Sequence, residues 1–107
     1  MVLYFTTKYK DNIKNDAKAD FRSKTKFTRM IVMNNLYTFD DTEIKGGKKP
    51  KVKHGVKKEA ITLTDEDYQQ VSKVADKYSM DVTKFIAFII NQYYEGKENE
   101  QNNKTIW

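Results

Sequence analysis

Residues 57–63 have the sequence KKEAITL, and the fold predicted for this chain follows from this segment. Two large apolar side chains, Ile61 and Leu63, alternate with polar or small ones, which predicts a short β-strand with one apolar face. A lone strand of this length leaves its backbone donors and acceptors unpaired, and its own unit offers no second strand. We therefore expect it to pair antiparallel with the same strand of a second subunit, about a two-fold axis.

Two amphipathic helices are predicted directly after this strand. Residues 64–67 (TDED) have the spacing of a capping box, and their acidic side chains suit the positive end of a helix dipole. The apolar face of the first helix consists of Tyr68, Val71, Val74, Ala75 and Tyr78. The second helix is predicted over residues 82–94, with Asp81 as its N-cap and Gly96 as its C-terminal stop. Its main apolar face consists of Phe85, Ile86, Ile89, Ile90 and Tyr93.

Five short motifs mark this unit of one strand and two helices: Ile61-Thr62-Leu63-Thr64, Lys73-Val74-Ala75, the turn Ser79-Met80-Asp81, Phe85-Ile86, and Tyr93 with Gly96. With these motifs, residues 57–96 resemble the ribbon–helix–helix (MetJ/Arc) superfamily. They are most similar to plasmid-encoded copy-number repressors and to accessory DNA-binding proteins of plasmid transfer. The resemblance implies an α+β fold in which two chains form an intertwined homodimer around an antiparallel intersubunit ribbon.

The resemblance also implies two kinds of DNA contact. The ribbon would read bases in the major groove, where lysine donates to guanine O6 and N7, threonine bonds several base edges and alanine touches a thymine methyl. The start of the second helix would bind phosphates, because its free N–H groups attract an anion. Carried over by position, the base contacts are Lys58, Ala60 and Thr62, and the backbone contacts are Lys57, Val82, Thr83 and Lys84.

Three residues depart from the usual pattern of the superfamily. Ala60 occupies a position that is usually polar, so we expect sparse base reading there. Glu59 stands where an apolar strand residue is common. Ser79 replaces a frequent turn glycine, which is tolerable but less permissive for the backbone.

Residues 1–44 are predicted to form a small α+β or β-hairpin extension. Residues 2–9 are apolar and aromatic, so they are predicted as a strand, and residues 11–21 have weak helical spacing. Residues 26–33 are rich in Phe, Ile, Val and Met and are predicted as a second strand. Asn34-Asn35 would then form a tight hairpin turn, because asparagine tolerates positive φ. No internal repeat is apparent in the sequence.

The basic excess of the chain is concentrated between these two parts. Over 107 residues, 20 Lys and Arg stand against 15 Asp and Glu, which gives a net charge of +5. Residues 45–58 hold seven lysines, three glycines and the only proline, so residues 45–56 are predicted as a flexible linker. It is either a solvated tether or a basic arm that follows DNA phosphates. The arm would comprise Lys48, Lys49, Lys51 and Lys53, and residues 97–107 are predicted as a polar tail.

The composition excludes several kinds of site. The chain has no cysteine, which excludes disulfides, thiolate zinc sites and cysteine nucleophiles. Its single histidine, His54, lies in the linker, and no metal-binding cluster accompanies any of the seven tyrosines. We therefore expect neither an enzyme nor a cofactor. With no apolar run near the roughly 20 residues that span a bilayer and no secretory signal, we expect a cytoplasmic protein without membrane contact.

The sequence thus predicts a sequence-specific double-stranded DNA-binding protein of a bacterial mobile element. The favoured role is an accessory factor of plasmid conjugation, which marks an origin of transfer and contacts a relaxase through residues 1–44 or Ile106-Trp107. Dimers would assemble further on repeated half-sites. The close alternative is a transcriptional autorepressor, followed by a plasmid partition adaptor. An antitoxin is less favoured. Antitoxins that resemble this fold usually place the ribbon first and a long toxin-binding tail last, whereas here the order is reversed and the tail is short.

Overall fold

The computed structural model describes residues 1–45 and 57–105 of the chain. It shows a small α+β fold with a two-stranded antiparallel sheet, compatible with a ribbon–helix–helix arrangement. The first elements are β1 (Val2–Thr7), α1 (Lys10–Ala19), α2 (Lys24–Asn35) and the short α3 (Thr42–Lys45). The later elements are β2 (Lys57–Thr62), α4 (Asp65–Lys77) and α5 (Val82–Thr105). We call β1, α1 and α2 the N-unit, and β2, α4 and α5 the C-unit.

The two strands pair with each other within the same chain. β1 and β2 run antiparallel, from Val2 opposite Thr62 to Thr7 opposite Lys57. The ladder continues at one end, where the Leu63 N–H donates to the Met1 carbonyl at 2.9 Å. The strand at β2 is therefore confirmed. The partner differs from the expected strand of a second subunit, because β1 of the same chain pairs with β2 along its whole length.

The N-unit and the C-unit repeat the same local geometry. Phe21 and Ser79, 58 positions apart, are the non-glycine residues with positive φ in the part of the chain that the structure describes, and φ is 56° at both. Each lies in a Schellman turn after the first helix of its unit, where a backbone N–H closes back on an alanine carbonyl. These bonds run from Arg22 N–H to Ala17 O (2.9 Å) and from Met80 N–H to Ala75 O (3.0 Å).

A short sequence match accompanies this structural duplication. Thr25-Lys26-Phe27 at the start of α2 recurs 58 positions later as Thr83-Lys84-Phe85 at the start of α5. The buried positions that follow also coincide: Phe27, Thr28, Ile31, Val32 and Leu36 in or after α2, and Phe85, Ile86, Ile89, Ile90 and Tyr94 in α5. The expectation of no internal repeat is therefore wrong, because the chain contains a repeat that is carried by burial spacing more than by residue identity.

One hydrophobic core serves both units. α5 packs against β1 and α2 packs against β2, so the second helix of each unit covers the strand of the other. The buried apolar residues are Phe5, Tyr9, Ile13, Ala17, Phe27, Ile31, Val32, Leu36, Ile61, Leu63, Val71, Ala75, Phe85, Ile86, Phe88, Ile89, Ile90 and Tyr94. The exchange of strands and helices makes the folding of each unit depend on the other.

Residues 26–33 belong to helix α2, so the strand predicted for them is wrong. The Ser23 hydroxyl caps this helix by accepting from the Lys26 N–H at 3.3 Å. The hairpin predicted at Asn34-Asn35 is also wrong, because both asparagines are the last residues of α2. A short run of Ile, Val and Met does not distinguish a strand from a buried helix by its periodicity. Residues 1–45 therefore contain one strand and three helices, without a hairpin, and their strand pairs with β2.

The helices of the C-unit follow the sequence prediction except at their end. The Thr64 hydroxyl accepts from the Asp67 N–H at 3.1 Å, and the Thr64 N–H donates to the Asp67 carboxylate at 3.3 Å, which confirms the capping box. α5 begins as predicted but continues to Thr105. Gly96 is therefore not its stop. Glycine is tolerated inside a helix at a modest cost, so its presence alone does not end one.

The segment after α2 packs against α5 and against the end of α4. The Phe39 ring lies edge-on to three aromatic rings, with centroid distances between 5.3 and 5.9 Å, and these belong to Tyr78, Phe85 and Phe88. Gln92 fixes the neighbouring backbone, because its side chain accepts from the Asp40 N–H at 2.9 Å and donates to the Asp40 carbonyl at 2.7 Å. Within residues 1–45 and 57–105, no helix is long and apolar enough to cross a membrane.

Candidate nucleic-acid interface

The sheet has one face turned toward the helices and one turned toward solvent. On the inner face, Phe5, Thr7, Glu59 and Ile61 are buried. The outer face carries three cross-strand pairs, Val2 with Thr62, Tyr4 with Ala60, and Thr6 with Lys58. All of these outer side chains are exposed except Ala60, which is half-buried. The three residues predicted to contact bases therefore lie together on the outer face.

The centre of the outer face explains why Ala60 departs from the usual polar residue. Ala60 lies directly opposite Tyr4 in the register, and the Tyr4 ring is 55% exposed. The Lys58 ammonium lies over the same ring, with Nζ 4.9 Å from its centroid. The residue opposite this aromatic side chain carries only a methyl group. The aromatic side chain thus provides the bulk at the centre of the ribbon.

Polar contacts on the inner face fix the ribbon to the helices. The Thr7 hydroxyl in β1 donates to the Asn91 side-chain carbonyl in α5 at 2.9 Å. In β2, the buried Glu59 carboxylate lies 3.8 Å from the Lys24 ammonium at the start of α2. Its other oxygen, Oε2, has no hydrogen-bond partner among the described residues. Both contacts join a strand to the second helix of the other unit, so they hold the ribbon at a defined height above the helices.

The predicted backbone contacts lie at the starts of two elements. Lys57 is exposed at the first position of β2, opposite Thr7. Val82 and Thr83 are half-buried in the first turn of α5, and Lys84 beside them is exposed. The Lys84 ammonium lies 3.9 Å from the Asp81 carboxylate. An exposed ion pair of this kind is weak and exchangeable, so Lys84 can turn toward an incoming phosphate.

The N-unit supplies residues at the same places that the sequence prediction did not include. In the outer face of the ribbon these are Val2, Tyr4 and Thr6. At the start of α2 they are Lys24, Thr25 and Lys26, which match Val82, Thr83 and Lys84 in position and in burial. The recurring Thr-Lys-Phe sequence was the signal that could have revealed the residues at the start of α2. The basic arm, His54 and Ile106-Trp107 lie outside the described residues.

A bidentate ion pair joins α2 of the N-unit to the start of α4 in the C-unit. Arg29 in α2 donates to Asp67 through Nε at 2.6 Å and Nη2 at 3.0 Å. Hydrogen bonding from Arg29 lowers the pKa of Asp67, with smaller contributions from the Thr64 cap, and it raises the pKa of Arg29. The pair therefore stays charged at neutral pH, and it ties the start of α4 to the N-unit.

The described residues offer no group of three or more His, Cys, Asp or Glu side chains that could hold a metal ion. Comparison of the chain with family models, with curated proteins and with solved structures found no match. The interface presents a narrow exposed ribbon with hydroxyl, ammonium, aromatic and methyl groups.

Proposed function

We propose that this protein binds double-stranded DNA in a sequence-specific manner by inserting the β1–β2 ribbon into the major groove. The observation that carries the proposal is the alternation along both strands, which leaves one face of the ribbon exposed while the other is packed on the helices. A two-stranded ribbon fits the width of the major groove. Such a face costs little to desolvate against base edges, because its side chains are short except for Lys58 and Tyr4.

The side chains of the outer face match the chemistry of base edges. Lys58 would donate to guanine O6 and N7, and Thr62 would bond base edges as donor or acceptor. Ala60 is positioned for a thymine methyl group beside the Tyr4 ring. Because the helices hold the ribbon through Thr7 and Glu59, these groups are presented on a fixed backbone, which favours discrimination over loose contact.

Phosphate contacts would supply much of the affinity. The first turn of α5, with Val82, Thr83 and Lys84, presents backbone N–H groups and a hydroxyl next to an exposed ammonium. Lys57 lies at the end of the ribbon, and the basic arm of Lys48, Lys49, Lys51 and Lys53 directly precedes it in sequence. Neutralising all four arm lysines should flatten the slope of log K against log salt by about 0.9 for each phosphate that the arm no longer neutralises.

The biological setting that we propose is a bacterial mobile element, with a role in plasmid transfer as the favoured one. The protein would bind beside an origin of transfer and contact a relaxase. The alternatives are a repressor of its own operon and a partition adaptor. Footprinting on the native element separates them, because protection beside the origin supports the first role and protection over the promoter of its own gene supports the second. Rescue of growth from the toxicity of a neighbouring gene would support an antitoxin instead.

Binding selection from random duplexes followed by two substitutions tests the DNA proposal. Lys58→Ala and Thr62→Ala should each weaken binding to the selected duplex about tenfold and leave binding to random duplex nearly unchanged. Lys14→Ala and Lys73→Ala are matched controls, because both lysines are exposed on the first helix of a unit. Enrichment of no sequence, equal effects of all four substitutions, or preference for RNA in competition would contradict the proposal.

A further inference from the structure

The two ends of the outer face are equivalent in position but differ in chemistry. The register places Thr6 opposite Lys58 at one end and Thr62 opposite Val2 at the other. A two-fold axis through the middle outer-face pair of this ladder, Tyr4 with Ala60, would exchange the strands, so that Thr6 corresponds to Thr62 and Val2 to Lys58. This offset of 56 positions within the ribbon is two shorter than the offset of 58 that relates the helices and turns of the two units. Each end therefore presents one threonine hydroxyl. Beside it stands an ammonium at one end and an apolar side chain, 53% exposed, at the other.

The centre of the ribbon is unequal as well. Tyr4 and Ala60 occupy equivalent positions on the two strands and lie opposite each other. The Tyr4 ring projects from β1 and contacts Lys58 of β2, whereas Ala60 ends at its methyl group. A ribbon made from two copies of β2 would instead be symmetric, with the same side chains at both ends and in the centre.

Replacing β1 by a second copy of β2 would be costly. β1 buries Phe5, which is only 3% exposed, in the shared core. It also holds the Thr7 hydrogen bond to Asn91 and the pairing of Met1 with Leu63. Exchange of the strand would expose the Phe5 ring and deprive the half-buried Asn91 side chain of its donor. The single-chain ribbon is the form in which these groups are satisfied.

We propose that one chain is the complete DNA-reading unit and that it reads a non-palindromic duplex. The two halves of this site match at the bases facing Thr6 and Thr62. They differ at the bases facing Lys58 and Val2, where the ammonium selects guanine and the apolar side chain selects the methyl group of thymine. This inference rests on the proposed function and replaces the intersubunit ribbon by an intramolecular one.

Directed cleavage measures the number and orientation of chains on one site. Because the chain has no cysteine, Lys8→Cys provides a single attachment point for an iron chelate, at the Thr6 and Lys58 end of the ribbon. On the minimal selected duplex, one bound chain cuts the DNA at one end only. Light scattering of the same complex should give the mass of one chain and one duplex. Cleavage at both ends with a mass of two chains would overturn the inference.

Two substitutions test which side chain reads which half. Val2→Lys should change the preferred base pair at one half-site from A·T to G·C, with a shift of about tenfold, and leave the other half unchanged. Lys58→Val should do the converse at the other half, so each variant makes the preferred site more symmetric. An equal change at both halves would contradict the inference while the proposed function stands. Failure of the unsubstituted chain to select any duplex would instead contradict the proposed function.

Discussion

The N-unit and the C-unit reach equivalent structures from local sequences of very different strength. α4 begins with a complete capping box at Thr64, whereas α1 begins after Tyr9 without any side-chain cap. α5 extends to Thr105, and α2 ends at Asn35. Even so, both units bury the same pattern of residues in one core. The comparison shows that packing against a well-specified partner can shape a segment whose own signals are weak.

The largest expected effect tests whether the two units fold as one. Ile31 and Ile89 are equivalent residues in α2 and α5, and both are fully packed. Ile31→Ala and Ile89→Ala should each lower the free energy of unfolding by about 3 kcal/mol, because each leaves a cavity in the shared core. Urea unfolding followed by circular dichroism and by tyrosine fluorescence measures this change. Lys14→Ala, at an exposed helical position, serves as the control.

Both substitutions should preserve a single transition at which the two probes coincide. Two separate transitions, or loss of structure in only the substituted unit, would show that the units are independent. The chain would then consist of two small domains rather than one exchanged core.

The next largest change in the free energy of unfolding is expected at the Arg29–Asp67 ion pair, which joins the N-unit to the C-unit. Asp67→Asn should cost about 1 kcal/mol, since the charge-assisted bonds to Arg29 are lost but the Arg29 side is open to solvent screening. The pKa of Asp67 is lowered in the folded protein, so its contribution is present above the unfolded pKa and is lost as pH falls through the folded pKa. Unfolding measured between neutral and acidic pH should therefore show a shallower loss of stability for the variant.

Asp76→Asn is the matched control for this pH dependence, because Asp76 is an exposed carboxylate on the same helix. Equal pH profiles for the two variants would contradict a special role of the Arg29–Asp67 pair.

The smallest expected change in the free energy of unfolding tests whether the two turns, at Phe21 and Ser79, are equivalent. Phe21→Gly and Ser79→Gly should each raise the free energy of unfolding by about 0.5–1 kcal/mol, because φ is 56° at both positions and glycine adopts this conformation without a Cβ penalty. Phe21 is 97% exposed, so removal of its side chain loses few packing contacts. Thermal unfolding should show similar increases in Tm. Lys14→Gly, inside a helix, should act in the opposite direction, and a decrease at either turn would refute the equivalence.

The sequence was a good guide where short-range chemistry decides. The capping box at residues 64–67, the strand at β2 and the helical spacing from Val71 to Ile90 all depend on residues within one or two turns of each other. α1 was also indicated by spacing through Ile13 and Ala17, which are buried. Local patterns gave wrong predictions at residues 26–33 and at Gly96. A short apolar run is compatible with a strand or with a buried helix, and a single glycine can end a helix or lie within one.

The candidate interface was predicted only in its C-terminal half. Lys58, Ala60 and Thr62 do lie on one outer face, since alternation along a strand is a local property. Val2, Tyr4 and Thr6 were not included, because their place beside β2 depends on a pairing across more than fifty residues. This pairing depends on the burial of Phe5 and Ile61 in one core. No local sequence pattern reveals that these two residues share a core.

Residues 57–94 could be predicted as a strand followed by two amphipathic helices, because caps, alternation and helical periodicity act over a few residues. The strand that completes the ribbon could not be predicted in this way, because it depends on long-range packing. Backbone pairing is indifferent to side-chain identity, so any extended segment with one apolar face can serve, and the choice is made by the core that both strands must cover. In this chain the second strand is β1, and it forms one asymmetric ribbon with β2.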